Sequence, residues 1–349
     1  HLAITHRCNL RCRFCHIRDS VFEELDTDGM KRVIDRLDEM GVGVVSISGG
    51  GEPLLRPDFA EIVDYAAGKG MYTKLTSNGT LPLSRYERLL RSRVREIGVS
   101  LDGVQGNDLP HSHVGPRILD SIRYLHDHLP PQKQLTINVT VSGTNRHQVE
   151  EIVAFCAREF PRAKVWLNPV MAGQGALRTA EAVSTPPDYL RRCRSPNLLS
   201  AKFYIEGVEK QFRRGHFDWG CRAGATFFDI KPNGDFWLCQ DQPSRTPLNI
   251  LDPAFRRKLR ASDFRYRKEC TGCTYSCYYV TQNGLSPRRW PDMALLWWTS
   301  NTMHGDPCRQ AAGRYGWLAG LGMYLLLKLR TGVSSMAAAA LPVLPLMGA

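Results

Sequence analysis

The chain is predicted to be an α/β protein: a partial (βα)6 parallel barrel, then a small cysteine-rich domain built around a β-hairpin, then an apolar tail. Three observations predict this. Short β-branched runs alternate with amphipathic helical stretches through the first 170 residues. Polar, glycine-containing clusters follow the strand-like runs, and cysteines recur at tight spacing in two separate places.

Residues 2–5, 44–48, 71–76, 96–101, 135–141 and 164–170 have strand composition. The stretches between them carry apolar residues at helical period. Met30, Val33, Ile34 and Leu37 form the first such face, behind a cap at Thr27 or Asp28. Phe59, Ile62, Val63 and Ala66 form the second, followed by Tyr86, Leu89 and Leu90. Ile118, Ile122 and Leu125 make the next, and Val149, Ile152, Val153 and Cys156 the last. Six strand-then-helix units imply a parallel sheet with right-handed crossovers, open or curled into a partial barrel.

Ligands of such sheets bind beyond the carboxyl ends of the strands. The polar clusters fall there. A cysteine loop follows the first strand, Gly49-Gly50-Gly51-Glu52-Pro53 the second and Thr76-Ser77-Asn78-Gly79 the third, while Ser100-Leu101-Asp102-Gly103 closes the fourth. Asn138, Thr140 and Asn168 lie in the fifth and sixth strands, with their direction left open by the sequence.

The cysteine loop reads Cys8-x3-Cys12-x2-Cys15. Three thiolates on one loop can hold three irons of a [4Fe-4S] cluster and leave the fourth open to another ligand. A structural zinc knot is the competing reading, but neither His6 nor His16 completes a zinc-finger spacing. With Phe14 before the third cysteine, the motif resembles that of the radical S-adenosylmethionine (radical SAM) enzymes. The resemblance implies that Cys8, Cys12 and Cys15 bind the cluster whose open iron chelates the amino and carboxylate groups of SAM. It also implies that Gly50, Gly51 and Glu52 match the family's GGE motif, which binds the SAM amino group. Ser77, Asn78, Ser100 and Asp102 would then contact the methionyl carboxylate or ribose. Gly49 is an extra glycine in that motif, and Ser77 and Asn78 read equally well as turn residues.

A second constellation begins with Cys221, then Gly234 and Cys239, and continues with Cys270, Cys273 and Cys277. Residues 226–238 read as a hairpin turning through Lys231-Pro232-Asn233-Gly234-Asp235. The spacing resembles the SPASM and twitch extensions of radical SAM enzymes. That resemblance implies one auxiliary [4Fe-4S] cluster on Cys221, Cys239, Cys270 and Cys273, with Cys277 as a further ligand and Cys308 a distant candidate for a second cluster. A zinc ribbon is the alternative. Asp241, two residues past Cys239, is a candidate proton acceptor, against a plain solvated-hairpin role. Cys156 and Cys193 have no role assigned.

The 349 residues are 43% hydrophobic and 23% charged, an ordinary globular composition with room for several domains. The division expected is residues 1–200 for the barrel, 201–285 for the auxiliary-cluster domain and 286–349 for the tail. Clustered cysteines point to metal in a reducing cytoplasm rather than to disulfides. The chain opens on His1, which leaves a preceding segment open. Net charge is +12 and lies mostly in the second half, a surface suited to an acidic partner or simply a solvated face. No nucleic-acid module is legible. The tail is Trp-rich, and its apolar run at residues 316–327 is short of the roughly 20 residues that span a bilayer, so it packs on the protein or lies on a membrane surface.

The implied activity is reductive cleavage of SAM to a 5'-deoxyadenosyl radical that abstracts a substrate hydrogen, with the auxiliary cluster accepting an electron. A reductant such as flavodoxin or ferredoxin would serve it. The substrate stays open among a peptide, a small molecule and a lipid. A non-catalytic iron–sulfur or zinc scaffold is the reading from another class.

Overall fold

The computed structural model describes residues 1–12, 14–15, 22–104, 115–170, 188–193, 195, 197–199, 202–214, 221–240, 242–262, 273 and 275. Five parallel strands form the main sheet in sequential order. They are β1 (Val44–Ile47), β2 (Tyr72–Ser77), β3 (Glu96–Ser100), β4 (Gln134–Val141) and β5 (Lys164–Pro169). Helices α1 (Thr27–Glu39), α2 (Phe59–Gly68), α3 (Leu83–Arg91), α4 (Pro116–His128) and α5 (Val149–Glu159) alternate with them. Sequential order with parallel pairing is the pattern that one-handed βα crossovers produce.

Each helix buries the face its periodicity predicts. Met30, Val33, Ile34 and Leu37 of α1, and Phe59, Ile62, Val63 and Ala66 of α2, are all within 2% of complete burial. Burying one such large side chain stabilises the fold by roughly 1.5–3 kcal/mol. The cap of α1 lies one residue before the predicted position: Asp26 Oδ1 accepts from Gly29 N–H at 2.7 Å. An aspartate there satisfies a helix-terminal N–H directly, which explains the earlier start.

The first predicted strand is the main difference. Residues 2–5 are extended but make only an isolated bridge, at Leu2. Leu2 N–H donates to Ser46 O of the main sheet, while Ala3 N–H donates to Ile230 O of a second sheet. This second sheet holds β6 (Asp229–Ile230), β7 (Phe236–Cys239) and β8 (Gln242–Pro243), paired antiparallel in that order. The predicted hairpin at 226–238 is therefore present, and the N-terminal segment is the seam between the two sheets. The helices α6 (Tyr189–Arg192), α7 (Lys202–Arg214) and α8 (Phe255–Ala261) were not legible as such in the sequence.

Among the described residues no helix is long and apolar enough to cross a membrane. The tail at 286–349 lies outside the described residues.

Candidate active site at the strand ends

The cysteine loop hangs between two clamped stems. On one side of it lies Ile4 and on the other Leu25, and both carbonyls accept from Nη1 of Arg56, at 2.7 and 2.9 Å. Arg56 is 5% exposed. Its remaining nitrogens grip the Asp58 carboxylate at 2.8 and 2.6 Å, and that bidentate contact pulls the Asp58 carboxyl down to about 2. Glu24 adds a second clamp. It accepts from the Thr5 hydroxyl at 2.6 Å and the His6 N–H at 3.0 Å, and pairs with Arg7 at 3.2 Å. Burial opposes its charge, but these donors outweigh it and hold the carboxyl below its ordinary range.

Between the clamps, Cys8 is exposed, Cys12 buried, and Cys15 and Phe14 half-buried. Cys15 N–H donates to Cys12 O at 3.1 Å, a turn that keeps the two residues close. Partial desolvation, aided by the nearby Glu52 charge, raises the Cys8 thiol above its ordinary range. Leu10 N–H and Asn78 Nδ2 work against that shift, at 3.4 and 3.9 Å from Sγ. Among the described residues no three His, Cys, Asp or Glu side chains stand preassembled as a metal-ligand set.

The glycine loop is built against this segment. Gly51 N–H donates to Thr5 O and Glu52 N–H to Arg7 O, at 2.8 and 2.9 Å. A Cβ on Gly50 would sit 2.4 Å from Thr5 O, and one on Gly51 only 2.1 Å from Arg7 O. The close approach these glycines permit is therefore to the stem of the cysteine loop, an approach the sequence could not distinguish from contact with a ligand.

Glu52 is 1% exposed, and its carboxylate accepts Leu54 N–H at 3.0 Å and Asn78 N–H at 2.6 Å. It ties the loop after β1 to the loop after β2. Asn78 in turn donates to Asn9 Oδ1 at 2.8 Å, beside Cys8. The buried hydroxyl of Ser77 meets Tyr86 Oη and accepts from Gly79 N–H, both at 3.2 Å.

Asp102 is also buried. Its Oδ1 accepts Thr140 N–H at 2.8 Å, and its carbonyl accepts from Asn145 Nδ2 at 2.8 Å. Strand alternation settles the direction of the polar positions in β3 to β5. Ile137, Val139 and Leu167 are fully buried, whereas Ser100, Asn138, Thr140, Trp166 and Asn168 are half-buried on the opposite face. Ser100, Asn138 and Trp166 stand in register across three strands. Gly98 lets its neighbours close over the sheet there, since a Cβ would lie 2.7 Å from Asn138 Nδ2 and 2.8 Å from Thr76 Oγ1.

In the second sheet, Gly224 N–H donates to Leu238 O at 3.1 Å, which draws the turn after Cys221 alongside the end of β7, where Cys239 lies. Cys221, Cys239 and Cys273 are half-buried and pack against the core. Cys270, Cys277, Cys308 and Asp241 lie outside the described residues. Below the hairpin, Lys231 pairs with fully buried Asp229 at 3.0 Å and lies 4.2 Å from the Trp237 ring centre. Four residues that sequence reasoning passed over prove structural to the site: Glu24, Arg56, Asn145 and Gln240. None of them falls in a sequence motif.

Comparison with known proteins places this arrangement among relatives. The Radical SAM superfamily model matches residues 2–156. The chain is 30% identical over 189 residues to Fe-coproporphyrin III synthase of Methanosarcina barkeri, covering 52% of this chain and 46% of that protein. It is 32% identical over 267 residues to PqqA peptide cyclase of Bradyrhizobium diazoefficiens, covering 71% of this chain and 68% of that protein. In fold it resembles Streptococcus suis SuiB bound to precursor peptide SuiA, with a TM-score of 0.58 at 20% identity, covering 76% of this chain and 65% of SuiB. The chain thus spans less than half of the first protein and about two thirds of the other two.

Proposed function

This chain belongs to the radical SAM superfamily, and from that premise we propose that it cleaves SAM reductively and oxidatively modifies a peptide substrate. One observation carries the reading: the loops after β1 and β2 meet at the cysteine loop. Asn78 lies beside Cys8 and Asn9, and the Glu52 carboxylate fastens Asn78 to the glycine loop.

The donor chemistry of Cys8, Cys12 and Cys15 fits a [4Fe-4S] cluster, three soft thiols on one clamped loop with no fourth on that loop. When bound, the cluster and SAM supply one electron and a 5'-deoxyadenosyl radical that abstracts a substrate hydrogen. Around them the chain's own residues bind and orient. Cys8, Cys12 and Cys15 would hold the cluster on a loop whose stems Arg56 and Glu24 fasten. Gly50 and Gly51 let the glycine loop lie on that stem, and Glu52 aligns it with Asn78. Phe14 flanks the third cysteine, and Ser77, Ser100 and Asp102 shape the rim where the methionyl and ribose ends of SAM would rest. The half-buried polar face of Asn138, Thr140 and Asn168 is available to SAM or substrate.

Residues 201–285 form, in this reading, a twitch-like domain, with Cys221, Cys239, Cys270 and Cys273 suited by their thiols to one auxiliary [4Fe-4S] cluster. Such a cluster accepts an electron, which suits a two-electron oxidation or a cross-link. Flavodoxin or ferredoxin is the proposed reductant. A peptide substrate is favoured because PqqA peptide cyclase is named for one and SuiB was solved with one.

Anaerobically reconstituted protein given dithionite and SAM should release 5'-deoxyadenosine, and the Cys12→Ala variant should release none. Equal release from both would sink the reading. Iron counts of about eight against about four per chain would separate an auxiliary cluster from its absence.

A further inference from the structure

Among the described contacts between the two cysteine-bearing parts of the chain, a side-chain hydrogen bond leads from beside Cys239 to the glycine loop. Gln240, the residue after Cys239, donates from Nε2 to the carbonyl of Gly49 at 3.3 Å. Gly49 opens the loop that continues into Gly50, Gly51 and Glu52. Its φ of +79° suits glycine, and a Cβ there would stand in van der Waals contact with Gln240 Cδ and Nε2 at 3.4 Å. From Gly49 the connections run without a gap: Gly51 N–H to Thr5 O on the cysteine-loop stem, Glu52 to Asn78, and Asn78 to Cys8.

We propose that Gln240 is a positioning residue that couples the second cysteine site to SAM binding, by holding the carbonyl that starts the SAM-contact loop. This rests on the reading of residues 49–52 as a SAM contact. A carboxylate beside that cysteine could take a proton, whereas an amide at Gln240 has no useful basicity and instead provides a fixed donor. Its position at the end of β7 makes its reach depend on how Cys239 is held. Filling the second site therefore steadies Gln240, and Gln240 steadies Gly49. Linkage makes the effect reciprocal: metal at the second site tightens SAM binding, and SAM tightens metal binding at the second site by the same free energy.

The test uses the full chain, anaerobically reconstituted, with SAM as the probe in equilibrium dialysis. Gln240→Met keeps the bulk and removes the donor, and Gln240→Asn keeps the amide but falls short of Gly49. Each should raise the SAM Kd about three- to tenfold, the range one neutral hydrogen bond supports, with iron content and thermal midpoint unchanged. Cys239→Ser should raise the Kd in the Gln240 background and leave it unchanged in the Gln240→Met background, a cycle that a purely structural role would not produce. Unchanged Kd in both single variants overturns the proposal, as does a Cys239→Ser effect of equal size in the two backgrounds. Failure of the unaltered protein to bind SAM would instead overturn the functional reading on which the proposal rests.

Discussion

Arg56 grips Asp58 with two parallel hydrogen bonds, Nε to Oδ1 at 2.8 Å and Nη2 to Oδ2 at 2.6 Å, while its third nitrogen holds both stems of the cysteine loop. Breaking the pair leaves a buried guanidinium without its counter-charge. The Asp58 carboxyl lies at about 2 in the fold against an ordinary 3.8. A depressed carboxyl stabilises the fold above its unfolded value, and the contribution fades as pH falls through the folded value. Asp58→Asn should therefore cost about 2 kcal/mol at pH 7 and progressively less between pH 4 and pH 2. Urea unfolding of both proteins across that range checks it; a pH-independent difference would refute the assignment.

Gly51 tolerates no side chain without moving the cysteine-loop stem, because the Arg7 carbonyl would be 2.1 Å from a Cβ. That neighbour is backbone and cannot rotate aside. Gly51→Ala should destabilise the protein by about 2 kcal/mol or more and lower its retained iron. Gly70→Ala is the informative partner. Its φ of +83° imposes backbone strain, but nothing lies within 4 Å of a Cβ there, so iron retention should survive. Iron and sulfide analysis after desalting distinguishes the two.

Glu52 serves two backbone donors on two loops from a nearly sealed position. Replacing it with Gln keeps the shape but turns an NH2 group toward one of those N–H groups. Glu52→Gln should lose about 1.5–3 kcal/mol, the size of a hydrogen bond to a charged group. SAM affinity should fall as well, since Asn78 loses its anchor. Stability unchanged alongside weakened SAM binding would show that the carboxylate meets SAM directly and not through Asn78.

Lys133 is buried, with its ammonium donating to the carbonyls of Ser92 and Val94, and desolvation lowers it to about 8. Here the unfolded chain holds the proton more tightly than the folded one. Stability owed to this site should rise as pH climbs from about 8 towards the ordinary 10.5 and stay flat below. The difference in unfolding free energy between the unaltered protein and Lys133→Met, measured at pH 7.5 and pH 10, isolates that gain from other titrating groups.

The helical faces, five of the six strands and the hairpin of the second sheet were legible because each depends on local period. Met30, Val33, Ile34 and Leu37 can bury together only on a helix, and the turn at residues 231–235 needs only its own residues. The cysteine spacing was equally local, and with the glycine loop it determined the superfamily.

Tertiary structure decided what those residues touch. Period two puts Asn138 and Thr140 on one face of their strand, but whether Asn168 joins them depends on the register of β4 with β5, and which face is buried depends on the helices packed across the sheet. The extended segment at residues 2–5 became a seam because one edge meets β1 and the other meets β6, more than 200 residues away in sequence. Arg56 and Gln240 carry no motif, and they matter only because folding brings Ile4, Leu25 and Gly49 within hydrogen-bond reach. Hydrogen bonds between distant residues leave no periodic trace in a sequence, since only the packed chain sets their distance and direction.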